Sequence, residues 1–142
     1  MLFRSVNMNL LIDANVVIDV LEMRKPYFSS SKKVCECSEL GLVNWFITSL
    51  SVANIMYVLH KNLSQSERNN VVRALNIMFN IEETKGSDLV KAADLDWKDF
   101  EDAVQYVAAK RIGIDYIVTR NKKDFKLSEI PVLTPNEVLK LI

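Results

Sequence analysis

A chain of 142 residues is the size of one domain, and its 49% hydrophobic and 25% charged residues suit a globular protein with a full core. Lysine and arginine total 18, as do aspartate and glutamate, so the net charge is zero. This excludes a global attraction for nucleic acid, and any such site must be a local patch. No apolar run approaches the length of a membrane span. Cys35 and Cys37, two residues apart with no nearby histidine, exclude a disulfide framework and a zinc site and fit a reducing, cytoplasmic setting.

Met1-Leu2-Phe3-Arg4 shows no secretory pattern, and with Met8 as a candidate start, residues 1–8 are expected to form a loose extension of a single domain spanning 1–142. Residues 9–13 read as the first strand: the run Leu10-Leu11-Ile12 ends abruptly in Asp13, and Asn15 follows two residues later. A helix is expected from Asn15 to Glu22, then a break at Arg24-Lys25-Pro26. Ser29-Ser30-Ser31 are expected to cap a second helix running to Leu40 and stopping at Gly41. Val43–Thr48 reads as strand two, and Ser49 or Ser51 opens a helix to Asn62. Ser64-Gln65-Ser66-Glu67 opens another to Met78, and Phe79–Glu82 is a short third strand. A helix from Gly86-Ser87 to Leu95 precedes a longer one over Trp97–Ile112, ended by Gly113. Ile114–Val118 is strand four and Pro131-Val132-Leu133 strand five, and Pro135 opens the last helix. Strands alternating with helices predict a three-layer α/β/α domain.

Three segments carry candidate chemistry. A strand buried on both faces belongs to a parallel sheet, and such sheets bind ligands beyond their carboxyl ends, where Asp13 falls. In Asp96-Trp97-Lys98-Asp99-Phe100-Glu101-Asp102, a helix puts Asp99 and Asp102 on one flank beside Tyr106 and Glu101 on the other. Phe100, Ala103, Val104, Val107 and Ala108 form its apolar stripe. Acids in a first helical turn also offset the helix dipole, and Asp96 serves as a simple cap on that reading. The third segment, Ile117-Val118-Thr119-Arg120-Asn121-Lys122-Lys123-Asp124-Phe125, ends a strand in polar and basic residues. If strands one and four are neighbours, Asp13, Asp102 and Asp124 converge at the switch point of the sheet. Like charges gathered there call for a cation, and oxygen ligands without His or Cys suit magnesium or manganese. Basic residues beside them suit a phosphodiester backbone, although a solvated loop accounts equally for Arg120, Lys122 and Lys123. His60, the single histidine, reads as a surface or edge residue. Met56, Met78 and Trp97 read as packing, and Trp45 and Tyr57 as core or interface.

Leu11-Ile12-Asp13-Ala14-Asn15, Asp99-Phe100-Glu101-Asp102-Ala103 and Val118-Thr119-Arg120-Asn121-Lys122-Lys123-Asp124-Phe125, in this order, resemble the PIN domain family of metal-dependent ribonucleases that includes VapC-type toxins. The resemblance runs from Asn9 to the C-terminus. It implies a five-stranded parallel sheet of order 3-2-1-4-5 and a Mg²⁺- or Mn²⁺-dependent cut of RNA leaving a 5′-phosphate and a 3′-hydroxyl. Asp13 and Asp102 match acidic ligands, with Asp99 and Asp124 completing the set, and Asn15 matches a buttress of the first acid. Asp13, Asp99 and Asp102 are then the catalytic residues, with Asp99 orienting the attacking water. Arg24, Lys25, Arg120, Lys122 and Lys123 hold flanking RNA phosphates. The resemblance also implies an antitoxin partner and a homodimer. Two positions depart from it: Asn54 stands where a Glu is usual and Asn121 where an Asp is usual, each keeping an oxygen and losing a charge. One alternative is therefore a degenerate site on a module that binds RNA or protein. A haloacid-dehalogenase-like phosphatase also ends its first strand in Asp but needs a second Asp at the position of Asn15.

Overall fold

Leu10, Leu11 and Ile12 are fully buried, so the first strand is covered on both faces. The computed structural model describes residues 8–37, 41 and 43–142. In chain order these form β1 (Asn9–Ile12), α1 (Ala14–Leu21), α2 (Phe28–Cys37), β2 (Asn44–Thr48), α3 (Ser49–Leu59), α4 (Gln65–Met78) and β3 (Asn80–Glu82). Next come α5 (Gly86–Leu95), α6 (Phe100–Ile112), β4 (Tyr116–Val118), a 3₁₀ turn at Lys122–Phe125, β5 (Val132–Leu133) and α7 (Pro135–Leu141). All five strands are parallel, in the order 3-2-1-4-5.

Side-chain alternation along β1 assigns the two faces. Leu10 and Ile12 join a core with Val16 and Val17 of α1, Val34 of α2, Ile55 of α3, Leu75 of α4 and Val138 of α7. Leu11 points the other way and packs with Tyr106 and Ala109 of α6, Ile117 of β4 and Phe125. The next residue on the Leu11 side is Asp13, so the chain delivers this carboxylate to α6. Pairing of Ile12 with Val118 sets Asp13 beside Thr119, and the Asp13 N–H donates to the Val118 carbonyl at 2.9 Å. No helix among the described residues is long and apolar enough to cross a membrane.

The Ser64-Glu67 capping box and Pro135 in the first turn of α7 stand where the sequence puts them. Other boundaries move for local reasons. α2 starts at Phe28, so Ser29, Ser30 and Ser31 lie inside the helix instead of capping it; the predicted end at Leu40 lies outside the described residues, as does most of the expected extension. Thr48 caps α3, its hydroxyl accepting from the Ser51 N–H at 3.1 Å. α6 starts at Phe100 and not Trp97, because Asp99 turns its carboxylate back onto the Asp102 N–H at 3.0 Å. Trp97 stacks on Tyr106 at 4.8 Å, and Asp96, in the left-handed region at φ 56°, ends α5 and does not cap α6. Phe100 is 50% exposed and leaves the apolar stripe. Tyr57 is 84% exposed, because α3 buries Ser51, Ile55 and Leu59 on another face; it is not a core residue.

Candidate active site

Asp13 is 7% exposed and is gripped at both oxygens. The Gln105 side-chain amide donates to Oδ1 at 3.0 Å, and the Thr119 hydroxyl donates to Oδ2 at 2.8 Å. The Thr119 oxygen in turn accepts from the Asn15 amide at 3.2 Å and from the Asn121 backbone N–H at 3.2 Å. Asn15 thus supports Asp13 through one intervening hydroxyl. Burial pushes the Asp13 carboxyl above its ordinary value, against the pull of these donors, and the charge of Asp124 adds to the rise.

Asp102 follows Asp99 by three residues at the start of α6, and Gln105 follows by three more, so Asp102 and Gln105 share the face turned to Asp13. Burial, then the charges of Asp13, Asp99, Asp124 and Glu101, push the Asp102 carboxyl up to about 7. Every charged neighbour in that set is negative. Asp99 spends Oδ1 on its cap and keeps Oδ2 without a donor among the described residues. Asp124 sits exposed on the 3₁₀ turn after β4.

The two neutral positions have defined neighbours. The Asn54 amide donates to Glu101 Oε2 at 2.7 Å, so Glu101 is turned to α3 and its charge lies beside the uncharged residue. Asn121 enters the site through its backbone N–H.

The basic residues divide. Arg120 donates from Nε to Asp19 Oδ2 at 2.7 Å and lies 4.6 Å over the Tyr27 ring, so it is not simply a solvated loop residue. Asp19 is fully buried, and burial raises its carboxyl although Arg120 and Arg24 pull it down. Arg24 also pairs with Glu22, and Lys122 with Glu137 at 3.1 Å. Lys25 and Lys123 make no ion pair among the described residues. His60 is exposed, on the turn after α3.

Sequence reasoning missed Gln105, which sits in a run of seven buried residues, Ala103–Ala109, and was hidden within an apolar helix. It also left Thr119 without a role and Asp19 unnoticed. The signal for Gln105 was present: it stands three residues after Asp102, on the flank where an acid needs a donor.

Among the described residues, no three His, Cys, Asp or Glu side chains form a ready cage for a metal. A hard divalent ion still fits, because magnesium is held by one or two carboxylates, water and substrate phosphates. The donor set here is all oxygen. The Gln105 and Asn15 side-chain oxygens are buried without hydrogen-bond partners among the described residues, which adds to the negative surroundings of Asp13.

Ribonuclease VapC1 of Aquifex aeolicus is 27% identical over 130 residues, which cover 89% of this chain and 90% of that protein. The fold is similar to a toxin-antitoxin complex from Klebsiella pneumoniae, with a TM-score of 0.65 and 23% identity over 89% of this chain and 97% of that one. It is also similar to FitAcB from Neisseria gonorrhoeae, with a TM-score of 0.66 and 15% identity over 89% of this chain and 97% of that one. The model of the PIN domain family matches residues 9–123, from β1 and Asp13 through the motif of α6 and into that of β4 as far as Lys123, and the chain belongs to that family.

Proposed function

We propose that the chain is a Mg²⁺- or Mn²⁺-dependent ribonuclease that hydrolyses RNA phosphodiester bonds as the toxin of a toxin–antitoxin pair. The observation that carries this is the uncompensated negative charge around Asp102: a carboxyl pushed up to about 7 by burial and four acidic neighbours is a place for a cation and a polyanion to meet. The likeness to Ribonuclease VapC1 supports the substrate class. The likeness to a toxin-antitoxin complex supports an antitoxin partner, and a homodimer belongs to the same reading.

Asp13 and Asp102 would hold the ion, with Asp99 and Asp124 acting directly or through water. A bound divalent ion supplies Lewis acidity to the scissile phosphate and acidifies water. Gln105 and Thr119 fix Asp13 so that its free lone pairs point in set directions. Asp99 Oδ2 accepts a proton from the attacking water and orients it. Lys25 and Lys123 hold flanking phosphates, joined by the open edges of Arg24, Arg120 and Lys122; such contacts position RNA without reading its bases. A second reading, a degenerate module that binds RNA or protein without cutting, draws on Asn54 and Asn121, and metal titration separates the two.

Asp13→Asn lowers Mn²⁺-dependent RNA cleavage at least about a hundredfold, beyond the range seen for supporting residues of metal sites, with circular dichroism and melting temperature retained. Undiminished cleavage, in preparations cleared of contaminating nuclease, would overturn the proposal.

A further inference from the structure

A concavity opens at the outer carboxylates of the candidate active site. The loop before α6 and the 3₁₀ turn after β4, with the residues that follow it, border a groove of about 560 Å³ lined by Trp97, Lys98, Asp99, Lys123, Asp124, Lys126 and Leu127. Two of the seven are the outer acids of the candidate active site. Three are lysines, and none of these makes an ion pair among the described residues, although two carboxylates share the groove with them. The indole is fixed: Tyr106 stacks on it at 4.8 Å and Phe125 meets it edge-on at 6.1 Å. A rigid aromatic wall with unpaired ammonium groups is the combination that binds single-stranded nucleic acid, the ring meeting bases and the cations meeting phosphates. The volume lies within the range of small-ligand sites and suits one nucleotide.

We propose that this groove is a subsite for one nucleotide of single-stranded RNA next to the phosphate presented to Asp13 and Asp102, with Lys98 and Lys126 on its phosphate and Trp97 along its base. The proposal rests on the ribonuclease reading. It adds residues to which that reading gives no role: Lys98, Lys126 and Trp97. RNA is favoured over an acidic peptide because the lysines share the groove with Trp97, whose ring offers a base a stacking surface that an acidic side chain does not use. The lysines lie on two separate loops, so their spacing spans the groove instead of following one helix face.

The test uses the Asp13→Asn protein, which binds without cutting, and a fluorescein-labelled mixed-sequence RNA hexamer read by anisotropy with Mg²⁺ present. Lys98→Ala with Lys126→Ala weakens binding about tenfold, and the slope of log affinity against log salt falls by about 0.7 for each lysine removed. Saturating RNA also quenches tryptophan emission, which reports Trp97 because Trp45 is 2% exposed in the opposite core. Unchanged affinity and slope in the double variant would overturn the proposal, as would emission unmoved by RNA. Displacement of the hexamer by a polyglutamate peptide at equal or lower concentration also overturns it and assigns the groove to an acidic protein segment. Metal-dependent cleavage that Asp13→Asn abolishes, alongside unaltered binding by the lysine variant, rejects the subsite alone. If Asp13→Asn leaves cleavage intact, the ribonuclease reading itself fails.

Discussion

Asp13 and Asp88 are both acids taken out of water, at 7% and 1% exposure, and their surroundings treat them in opposite ways. Asp88 on α5 meets the Arg111 guanidinium at both oxygens, from Nε at 3.0 Å and from a terminal nitrogen at 2.9 Å, and accepts the Lys85 N–H at 2.9 Å. These contacts, led by Arg111, hold its carboxyl below the ordinary value. Asp13 is offered neutral donors, the Gln105 amide, the Thr119 hydroxyl and the Ala14 backbone, and its carboxyl is raised. Both networks hang on α6, which carries Gln105 at one level and Arg111 almost two turns on. The helix thus closes one charge internally and leaves the other open for an external cation. The closed network is structural, and the open one is where chemistry is expected.

Breaking the closed network has the largest expected effect on stability. Arg111→Met strands the Asp88 carboxylate and destabilises the fold by about 3 kcal/mol in urea titration, with activity per folded molecule retained. The Gln105→Met variant, of similar volume, removes a donor from Asp13 at the other end of the helix. It weakens Mn²⁺ binding about 10- to 100-fold by calorimetry and moves the urea midpoint far less than Arg111→Met.

Acidity sharpens the contrast, because the two networks respond with opposite sign. Asp88, with its lowered carboxyl, contributes stability above the unfolded value of 3.8, and this is lost as pH falls through the lower folded value. Asp102 rises from 3.8 to about 7, so its contribution to the metal-free fold is full below pH 4 and is lost as pH climbs to 7. Asp102→Asn therefore stabilises the metal-free protein at pH 8 by on the order of 1–2 kcal/mol after allowance for solvent screening, with little change at pH 4. Mn²⁺ protects wild type more than the variant, by thermal melts at the two pH values. The smallest effect is expected at the edge of the open network. Glu101→Gln weakens Mn²⁺ binding a few-fold, as for an exposed charge worth about 0.2–1 kcal/mol. No change would show that Asn54 has left a charge missing that Glu101 does not supply.

The sheet order was implied by the resemblance to the PIN domain family, and the place of Asp13 was legible because, in an α/β chain, an apolar run that ends abruptly in an acid fits little except a buried strand opening onto a site. Ser64, through its capping pattern, and Pro135, through its place in a first turn, announced their helices. What remained hidden depends on residues distant in sequence. Arg120 reads as a free phosphate contact until the fold brings Asp19 to it from 101 residues away. Gln105 is neutral and surrounded by alanine and valine, and its role appears only once β1 alternation aims Asp13 at α6. Asp99 and Asp96 are equally good caps on paper; the stacking of Trp97 on Tyr106 accompanies the choice of Asp99.

The Thr119 hydroxyl has one hydrogen and three polar neighbours. Two of them, the Asn15 amide and the Asn121 N–H, are donors, so the hydrogen has a single destination in Asp13 Oδ2. With Gln105 on the other oxygen, the carboxylate is held in one orientation. Calcium favours flexible shells of 6–8 oxygens with bidentate carboxylates, while magnesium accepts single oxygens in a strict octahedron. For the divalent ion proposed above, a carboxylate held in one orientation by one hydroxyl hydrogen and one amide suits the strict shell better than the flexible one.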